Sequence, residues 1–446
     1  MKKSINEYVL APDVFFREMP NGDVVLYQTS LQNVFVVDNS SYELLQYLRE
    51  KREKSLFVNL EMLSKAFPSI DQTQLNESIE QMLSLNWITK RTVLEEKIGP
   101  LETAIKVKEY GAINKLSDVQ FELTFRCNER CKHCYCPTDN DIANELTTEE
   151  IKKVLNDLYD MDVVSVTFTG GDLFVREDTF EILEYAYSLG FVINIFTNGT
   201  LLREPDFYRL KSIYPRSIHF SIYNSIPEKH DAFTRLPGSF EKTVSAIKKC
   251  KLLGIPVNIK VSLTEDNFDD VDGICELAKS LDTTIQISLQ ITPTNKGGME
   301  PTTLRLNNAE KYAEVMNKVD KHILLSCSGD TVSFEGVDDD IVCGAGAFSL
   351  NINPYGEVFP CNALLISCGN VRNMNIKDIW NNAATLQEVR NYRKSMIKGC
   401  EKCTNKANCD FCPGSALQET GDPLKRYSEA CTIAEAKIIK GKGEKS

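Results

Sequence analysis

The sequence predicts an α/β protein built around an incomplete, curved (β/α)6 barrel, with a small α+β unit before it and a cysteine-rich segment after it. Three observations lead to this prediction. Short apolar strands alternate with amphipathic helices between residues 118 and 293. The first 100 residues show a different order of strands and helices, and most of the cysteine-rich motifs lie near the C-terminus.

The central region begins with a strand of period two, because apolar and polar residues alternate from Val119 to Phe125. The six strands are predicted at 119–125, 163–169, 191–197, 217–222, 255–263 and 284–291. Helical segments separate them, and Gly254 ends one of these helices. Strands joined by helical crossovers pair in parallel. Since a complete TIM barrel has eight such units, six predict a partial TIM-like barrel, with its site at the carboxyl ends of the strands.

The N-terminal unit combines strands and helices in a way that is typical of a winged-helix domain. Strand-like segments lie at 24–28 and 33–37, and helical patterns lie at 41–51, 59–67 and 74–88. Residues 1–100 contain 11 Lys plus Arg against 14 Asp plus Glu, which disfavours DNA binding. The strand at 33–37 is instead expected to accept an extended peptide, with oligomerisation or packing as the alternative role.

These patterns divide the chain into four segments. Residues 1–100 are predicted to be a winged-helix peptide-recognition domain, and 101–117 a linker. Residues 118–315 are predicted to be the barrel, and 316–446 the cysteine-rich domain.

Composition excludes several classes of partner. The net charge of −12 opposes a nucleic-acid partner. No window has the apolar length that a membrane helix needs, and the N-terminus does not resemble a signal peptide. We therefore expect a cytoplasmic protein, whose 15 cysteines serve as metal ligands, redox groups or buried small side chains rather than disulfides.

The densest cysteine motif, CNERCKHCYC, directly follows the first strand of the barrel. Cys127, Cys131 and Cys134 are close enough in the chain for one loop to wrap a metal centre with three thiolates. The metal centre could be a zinc ion, with His133 as its fourth ligand. A 4Fe-4S cluster is the alternative, and three cysteines would leave one of its irons open to a further ligand.

This motif resembles the radical S-adenosylmethionine (radical SAM) superfamily, which has CxxxCxxC after the first strand of a partial barrel. Gly170-Gly171-Asp172 is similar to the family's Gly-Gly-Glu segment, which holds the methionine amino group, with Asp in place of Glu. Asn198, Ser221 and Arg235 fall where that family contacts the ribose and the methionine carboxylate. His133 departs from the family, because the position before the third cysteine is usually aromatic. The resemblance implies a 4Fe-4S cluster that binds S-adenosyl-L-methionine.

The C-terminal cysteines resemble the SPASM extension, which holds two auxiliary 4Fe-4S clusters. The resemblance implies an outer cluster bound by Cys400, Cys403, Cys409 and Cys431. It implies an inner cluster bound by Cys343, Cys361 and Cys412. A fourth inner ligand is either Cys327 or Cys368, or one iron is open. Two zinc ions are the alternative for these seven thiols.

The whole order resembles maturases of ribosomally synthesised peptides (RiPPs). It implies that the N-terminal domain binds the leader of a precursor peptide and that the barrel modifies the core by means of a 5'-deoxyadenosyl radical. Our preferred reaction is a thioether crosslink from a cysteine sulfur to a carbon. A reductant such as flavodoxin or ferredoxin is implied as a second partner. The sequence identifies no general base or other catalytic residue.

Three alternatives stay open. A carbon-carbon crosslinking maturase has the same domains. A formylglycine-generating, anaerobic sulfatase-maturase-like enzyme shares the barrel and the seven cysteines. A non-catalytic iron-sulfur electron carrier would need no methionine site, which Gly170-Gly171-Asp172 and Arg235 argue against.

Overall fold

The structure is a computed structural model that describes residues 7–11, 14–19, 22–28, 33–54, 56–90, 115–136, 143–318, 323–326 and 341–443. The chain divides into two compact units, Met1–Lys108 and Glu109–Ser446. Among the described helices, none combines the length and apolar character that crossing a bilayer requires.

The N-terminal unit contains two antiparallel sheets and three helices. Its elements are β1 (Tyr8–Leu10), β2 (Val14–Glu18), β3 (Val24–Gln28), β4 (Asn33–Val37), α1 (Asn39–Glu53), α2 (Leu60–Ala66), α3 (Gln72–Ser84) and β5 (Ile88–Lys90). Strands β2, β3 and β4 form one sheet in that order, and β1 pairs with β5. Within the described residues, β4 is therefore an edge strand.

Local sequence explains the helices of this unit. Asp38 caps α1 by accepting a hydrogen bond from Ser41 N at 2.8 Å, and Asp71 caps α3 in the same way. Helix α3 buries Leu75, Ile79 and Met82, which recur at intervals of four and three residues. The predictions of β3, β4 and three helices are confirmed, whereas β1, β2 and β5 were not predicted. The winged-helix assignment stays a prediction.

The second unit is built on one sheet of ten strands in its described part. The strands are β6 (Asp118–Glu122), β7 (Ser165–Thr169), β8 (Val192–Thr197), β9 (Ser217–Ser221), β10 (Val257–Ser262), β11 (Thr284–Ser288), β12 (Ile323–Ser326), β13 (Ser349–Ile352), β14 (Glu357–Phe359) and β15 (Gly369–Asn370). Their order across the sheet is β12-β11-β10-β9-β8-β7-β6-β13-β14-β15. All pairings from β12 to β13 are parallel, and β14 and β15 are antiparallel.

The six predicted strands of the barrel, β6 to β11, are confirmed, but the parallel sheet is wider than predicted. Strand β12 adds to β11 at one edge, and β13 adds to β6 at the other. Both strands lie within 316–446, the segment predicted as the cysteine-rich domain. That segment therefore contributes to the barrel sheet.

Helices accompany the sheet along the chain. They are α4 (Thr148–Asp160), α5 (Thr179–Ser188), α6 (Glu204–Ser212), α7 (Pro227–Thr234), α8 (Ser239–Leu252), α9 (Val271–Ser280), α10 (Ala309–Asn317), α11 (Ile376–Asn382), α12 (Ala384–Arg390), α13 (Pro413–Thr420) and α14 (Ser428–Gly443). Arg305 forms ion pairs with Glu419 at 2.6 Å and Glu429 at 3.0 Å, which attach the C-terminal segment to the barrel.

The first barrel strand buries both of its faces. Val119 and Phe121 lie in the large hydrophobic core, as their alternation predicts. Glu122 and Thr124, on the polar face, are also almost fully buried. A buried carboxyl therefore lies at the carboxyl end of β6, where the cysteine loop begins.

Candidate functional site

The cysteine loop is hydrogen-bonded to the end of the neighbouring strand β7. Beyond the two strands, Gly171 N donates to Thr124 O at 2.7 Å, and Asp172 N donates to Arg126 O at 2.9 Å. A Cβ atom on Gly170 or Gly171 would lie 2.2 Å from the carbonyl oxygen of Thr124 or Arg126, respectively. Only glycine permits this approach, so the glycine pair is required to hold the cysteine loop against β7.

The thiols of Cys127, Cys131 and Cys134 lie close enough together to influence one another's ionisation. Burial is the main reason that all three pKa values are raised, that of Cys127 to about 12. The carboxyl group of Glu129 raises all three values further, and neighbouring thiols raise those of Cys127 and Cys131. Buried thiols surrounded by negative charge suit a cationic metal centre, which stabilises thiolates. The residues therefore fit a cluster held by three cysteines.

Glu129 is a buried carboxyl inside this loop that sequence reasoning missed. Its Oε2 accepts from Cys131 Sγ at 3.2 Å, and its Oε1 has no hydrogen-bond partner among the described residues. Burial raises its pKa to about 7. The signal was present in the sequence, since an acidic residue stands between two of the three cysteines.

Asp172 is fully buried and connects the ends of β7 and β8. Its carboxylate accepts hydrogen bonds from Phe174 N at 3.0 Å, Thr197 Oγ1 at 2.7 Å and Asn198 N at 2.8 Å. Burial raises its pKa, although these three donors oppose the shift. Asp172 thus orders the rim of the barrel beside Cys127, and its oxygens are occupied by internal donors.

Asn198 points toward the cysteine loop. Its Nδ2 donates to Asn128 Oδ1 at 2.9 Å and lies 3.8 Å from Cys127 Sγ. Its Oδ1 accepts from the backbone and the hydroxyl of Thr200. The structure therefore brings the Gly-Gly-Asp segment and Asn198 together around the first cysteine.

An aromatic cluster supports the other side of the loop. The His133 ring lies 4.9 Å from that of Tyr223 and 5.3 Å from that of Phe233, and burial lowers the pKa of His133 to about 4. His133 thus occupies the usually aromatic position as a neutral ring packed on aromatic rings. Ser221 ends β9 and lies close enough to Tyr223 to influence the pKa of its hydroxyl, which burial raises.

Arg235 lies near the loop, but the structure does not bring its side chain to the other predicted cofactor residues. Arg130 N donates to the carbonyl of Thr234, the residue before Arg235, at 2.9 Å. Arg235 itself is exposed and adopts a left-handed backbone with φ of 58° at the end of α7. No hydrogen bond or ion pair joins its side chain to another described residue.

Tyr135, directly after the third cysteine, connects the loop to the barrel interior. Its hydroxyl lies 3.4 Å from Glu122 Oε1 and 3.4 Å from Asn362 Nδ2. Asn351 Nδ2 donates to Glu122 Oε2 at 3.0 Å. Burial raises the pKa of Glu122 to about 7, and the two hydrogen bonds oppose this shift. Glu122 and Tyr135 were missed by sequence reasoning, because their contact depends on how the loop folds back.

The seven C-terminal cysteines form two groups. The inner group consists of Cys343, Cys361 and Cys412; burial, and then the neighbouring thiols of the group, raise the pKa values of Cys343 and Cys361. The outer group consists of Cys400, Cys403, Cys409 and Cys431; burial, and then the neighbouring thiols of the group, raise the pKa values of Cys400 and Cys409. These are the groups that the resemblance implies, although their metal ligation stays a prediction.

The two candidates for a fourth inner ligand differ in position. Cys368 is buried in the barrel core, and the charged groups that influence its thiol are Arg390 and Glu357 rather than the inner cysteines. Cys327 lies outside the described residues. Across the described residues, no three His, Cys, Asp or Glu side chains are arranged to share a single metal ion. A four-iron cluster binds each thiolate through a different iron and has no such requirement.

Two family models match regions that contain the first cysteine loop and four of the seven C-terminal cysteines. Residues 121–278 match the radical SAM superfamily, and residues 343–404 match SPASM, an iron-sulfur cluster-binding domain. The chain is an enzyme with a radical SAM domain. It therefore combines a radical SAM domain, which includes the first cysteine loop, with a SPASM domain that begins at Cys343.

Curated relatives match about two thirds of the chain. AdoMet-dependent heme synthase of Methanosarcina barkeri is 28% identical over 331 residues, which are 69% of this chain and 94% of that protein. Antilisterial bacteriocin subtilosin biosynthesis protein AlbA of Bacillus subtilis is 28% identical over 302 residues, which are 66% of each chain.

A solved structure has a similar fold over almost the whole length of the enzyme. Streptococcus suis SuiB bound to its precursor peptide SuiA matches with a TM-score of 0.61 over 95% of this chain and 99% of that chain. The identity is 14%, so this match reports the fold alone.

Proposed function

We propose that this enzyme matures a ribosomally synthesised peptide. Its N-terminal unit binds the leader of the precursor, and its barrel installs a thioether between a cysteine sulfur and a carbon of the core peptide. The observation that supports this most is the presence of a separate N-terminal unit before the radical SAM and SPASM domains, an arrangement whose fold matches SuiB over 95% of the chain. AlbA, named for the biosynthesis of a bacteriocin, supports a peptide substrate.

The leader-binding surface is the free edge of β4 together with helix α3, in a domain of the winged-helix type. Strand β4 has β3 on one side only among the described residues, so its other side offers backbone hydrogen bonds to an extended peptide. Val36 adds an exposed apolar side chain, 44% accessible, to that edge. Binding there would hold the core peptide at a high effective concentration near the barrel.

In the barrel, Cys127, Cys131 and Cys134 would hold the first cluster. Gly170, Gly171, Asn198 and Ser221 would form the pocket for S-adenosyl-L-methionine, and the exposed side chain of Arg235 would have to turn toward them to reach the methionine carboxylate. When bound, the cluster and S-adenosyl-L-methionine would together supply a 5'-deoxyadenosyl radical that abstracts hydrogen from the peptide. Asp172 holds the pocket's rim through its three internal hydrogen bonds. Buried Glu122, reached through Tyr135, is the best candidate to accept the proton that the cysteine thiol loses.

The SPASM domain would hold two auxiliary clusters, which gives three in all, and one of them would take up the electron released as the carbon-sulfur bond forms. Cys368 packs in the barrel core, whereas Cys361 and Cys412 pack in another cluster. This favours Cys327, or an open iron for the substrate thiolate, at the fourth position of the inner cluster. An open iron favours thioether over carbon-carbon chemistry, because it orients a sulfur for attack. We place the enzyme in the reducing cytosol, with flavodoxin or ferredoxin as reductant.

A second candidate function is chemistry of the heme-synthase type. It is favoured by the 28% identity to the M. barkeri protein. That match covers 94% of the relative but only 69% of this chain, so the relative has no counterpart for much of the remainder.

The test is coexpression with the small peptide encoded beside the gene, followed by mass spectrometry before and after iodoacetamide treatment. A thioether removes two hydrogens and blocks one alkylation site. A carbon-carbon bond removes two hydrogens but leaves every thiol reactive. The maturase proposal would be rejected if the mass of the peptide did not change and if the enzyme released 5'-deoxyadenosine from S-adenosyl-L-methionine only when a porphyrin substrate was supplied.

A further inference from the structure

The exposed cysteine of the outer group lies in a basic patch, although the chain as a whole is acidic. Among the 14 described cysteines, Cys403 alone is exposed. The segment 390–409 contains six basic residues and one acidic residue, Glu401. The chain carries a net charge of −12. Positive charge is therefore concentrated where the outer cysteine group reaches the surface.

Backbone hydrogen bonds bring a second basic segment into the same patch. Lys398 N donates to Leu424 O at 2.7 Å, and Arg426 N donates to Lys398 O at 3.1 Å. Arg426 Nε lies 3.1 Å from Cys431 Sγ. An open pocket lies here, lined by Lys398, Gly399, Asp422, Lys425, Arg426, Tyr427 and Ser428. We call this surface, together with Lys402 and Cys403, the outer basic patch.

Several charges of the outer basic patch are available to a partner. Lys398 is paired with Asp422 at 2.6 Å. Lys402 and Lys425 are exposed, and no ion pair joins either side chain to another described residue. Exposed charges without an ion-pair partner raise the rate of association with a partner of opposite sign, because no internal ion pair has to be broken first.

We propose that the outer basic patch is the docking surface for an acidic one-electron carrier protein of the flavodoxin or ferredoxin class. An acidic carrier is repelled by most of the surface of a chain with a net charge of −12, so it is steered to this patch. Docking there places its redox group next to Cys403. The exchange is of one electron: the carrier is oxidised as the outer cluster is reduced. This inference rests on the proposed iron-sulfur function of the outer cysteine group.

The test measures binding of a bacterial flavodoxin to the reconstituted full-length enzyme by biolayer interferometry at low and high salt. Lys402→Glu combined with Lys425→Glu should weaken binding about tenfold or more, mainly through slower association. Lys402→Arg with Lys425→Arg should bind as the wild type does. Lys242→Glu with Lys248→Glu, on exposed positions of α8, provides the control for net charge.

The outcomes separate this inference from the proposed function. Equal affinity of the patch variant and the wild type, or an equal loss in the α8 control, would overturn it. Competition by the precursor peptide for the patch would also overturn it, in favour of a peptide site. With dithionite as electron donor, the patch variant should release 5'-deoxyadenosine at the wild-type rate. If no variant releases it with dithionite, the proposed function fails, whatever the binding result.

Discussion

At the scale of single residues, the glycine pair and the buried carboxyls have the largest consequences for the site. Gly171 allows the cysteine loop to approach β7, and Glu122 lies behind Tyr135 in the barrel. The importance of the glycines could be predicted from their resemblance to a known motif. The Glu122–Tyr135 contact could not, because the two residues meet only when the loop folds back over its own strand.

Replacing Gly171 with Ala should displace the cysteine loop and remove the iron of the first cluster. The new Cβ would lie 2.2 Å from the carbonyl oxygen of Arg126, which belongs to the backbone and cannot rotate away. We expect a loss of about 1–3 kcal/mol in stability and a lower iron content per chain, measured colorimetrically after anaerobic reconstitution. Gly238→Ala, where the added Cβ meets nothing within 4 Å, should retain the iron. Full iron content in Gly171→Ala would contradict the role of the close approach.

Replacing Glu122 with Gln should change how stability depends on pH. In the folded chain the pKa of Glu122 is raised from 4.5 to about 7, so its protonated form is favoured on folding. Its contribution to stability is therefore complete below pH 4.5 and is lost as the pH rises through about 7. Relative to the wild type, Glu122→Gln should gain on the order of 2 kcal/mol in unfolding free energy between pH 4.5 and pH 8.

The measurement is urea unfolding of the cluster-free protein, followed by circular dichroism at both pH values. Glu228→Gln, which changes an exposed carboxyl in α7, provides the control and should show no such gain. Equal pH dependence in wild type and Glu122→Gln would mean that folding does not raise the pKa of Glu122.

At the scale of elements, periodicity predicted the barrel strands within a few residues but not the edges of the sheet. Strands β6 to β11 were visible because each is apolar and followed by an amphipathic helix. Strand β13 is four residues long, and its pairing with β6 joins segments more than 200 residues apart. Short strands whose partner is distant carry little local signal, which is why β12 and β13 were missed.

The free edge of β4 leads to a prediction about leader binding. Val36→Glu should weaken the affinity for a synthetic leader peptide by about tenfold, because a charge replaces an exposed apolar side chain on the proposed docking strand. Isothermal titration calorimetry measures this. Leu252→Glu changes a similarly exposed apolar residue in the other unit and should bind normally. If both variants bind like the wild type, the leader does not use this edge.

At the scale of the whole molecule, the two compact units suggest that recognition and chemistry can be separated. Deleting residues 1–100 should weaken binding of the full-length precursor while leaving slow, peptide-free cleavage of S-adenosyl-L-methionine. The triple variant that combines Cys127→Ala, Cys131→Ala and Cys134→Ala should lose cleavage of S-adenosyl-L-methionine. It should still bind the full-length precursor, because the N-terminal unit contains none of these thiols. Calorimetry measures the binding, and chromatography of 5'-deoxyadenosine measures the cleavage.

Two results would contradict this separation. One is unchanged precursor affinity after the deletion, and the other is continued cofactor cleavage by the triple cysteine variant. The triple variant should also lose one cluster's share of iron while retaining the iron of the SPASM domain.

The sequence by itself determined the order of the parts: an N-terminal unit, a barrel with three cysteines after its first strand, and a seven-cysteine extension. These features are local, since spacing and periodicity act between residues that are neighbours in the chain. The tertiary structure decided which distant groups meet. It packed Cys368 into the barrel core, placed Tyr135 against Glu122, and gathered two basic segments around Cys403. Such contacts depend on packing and pairing between segments far apart in sequence, for which short-range patterns provide no signal.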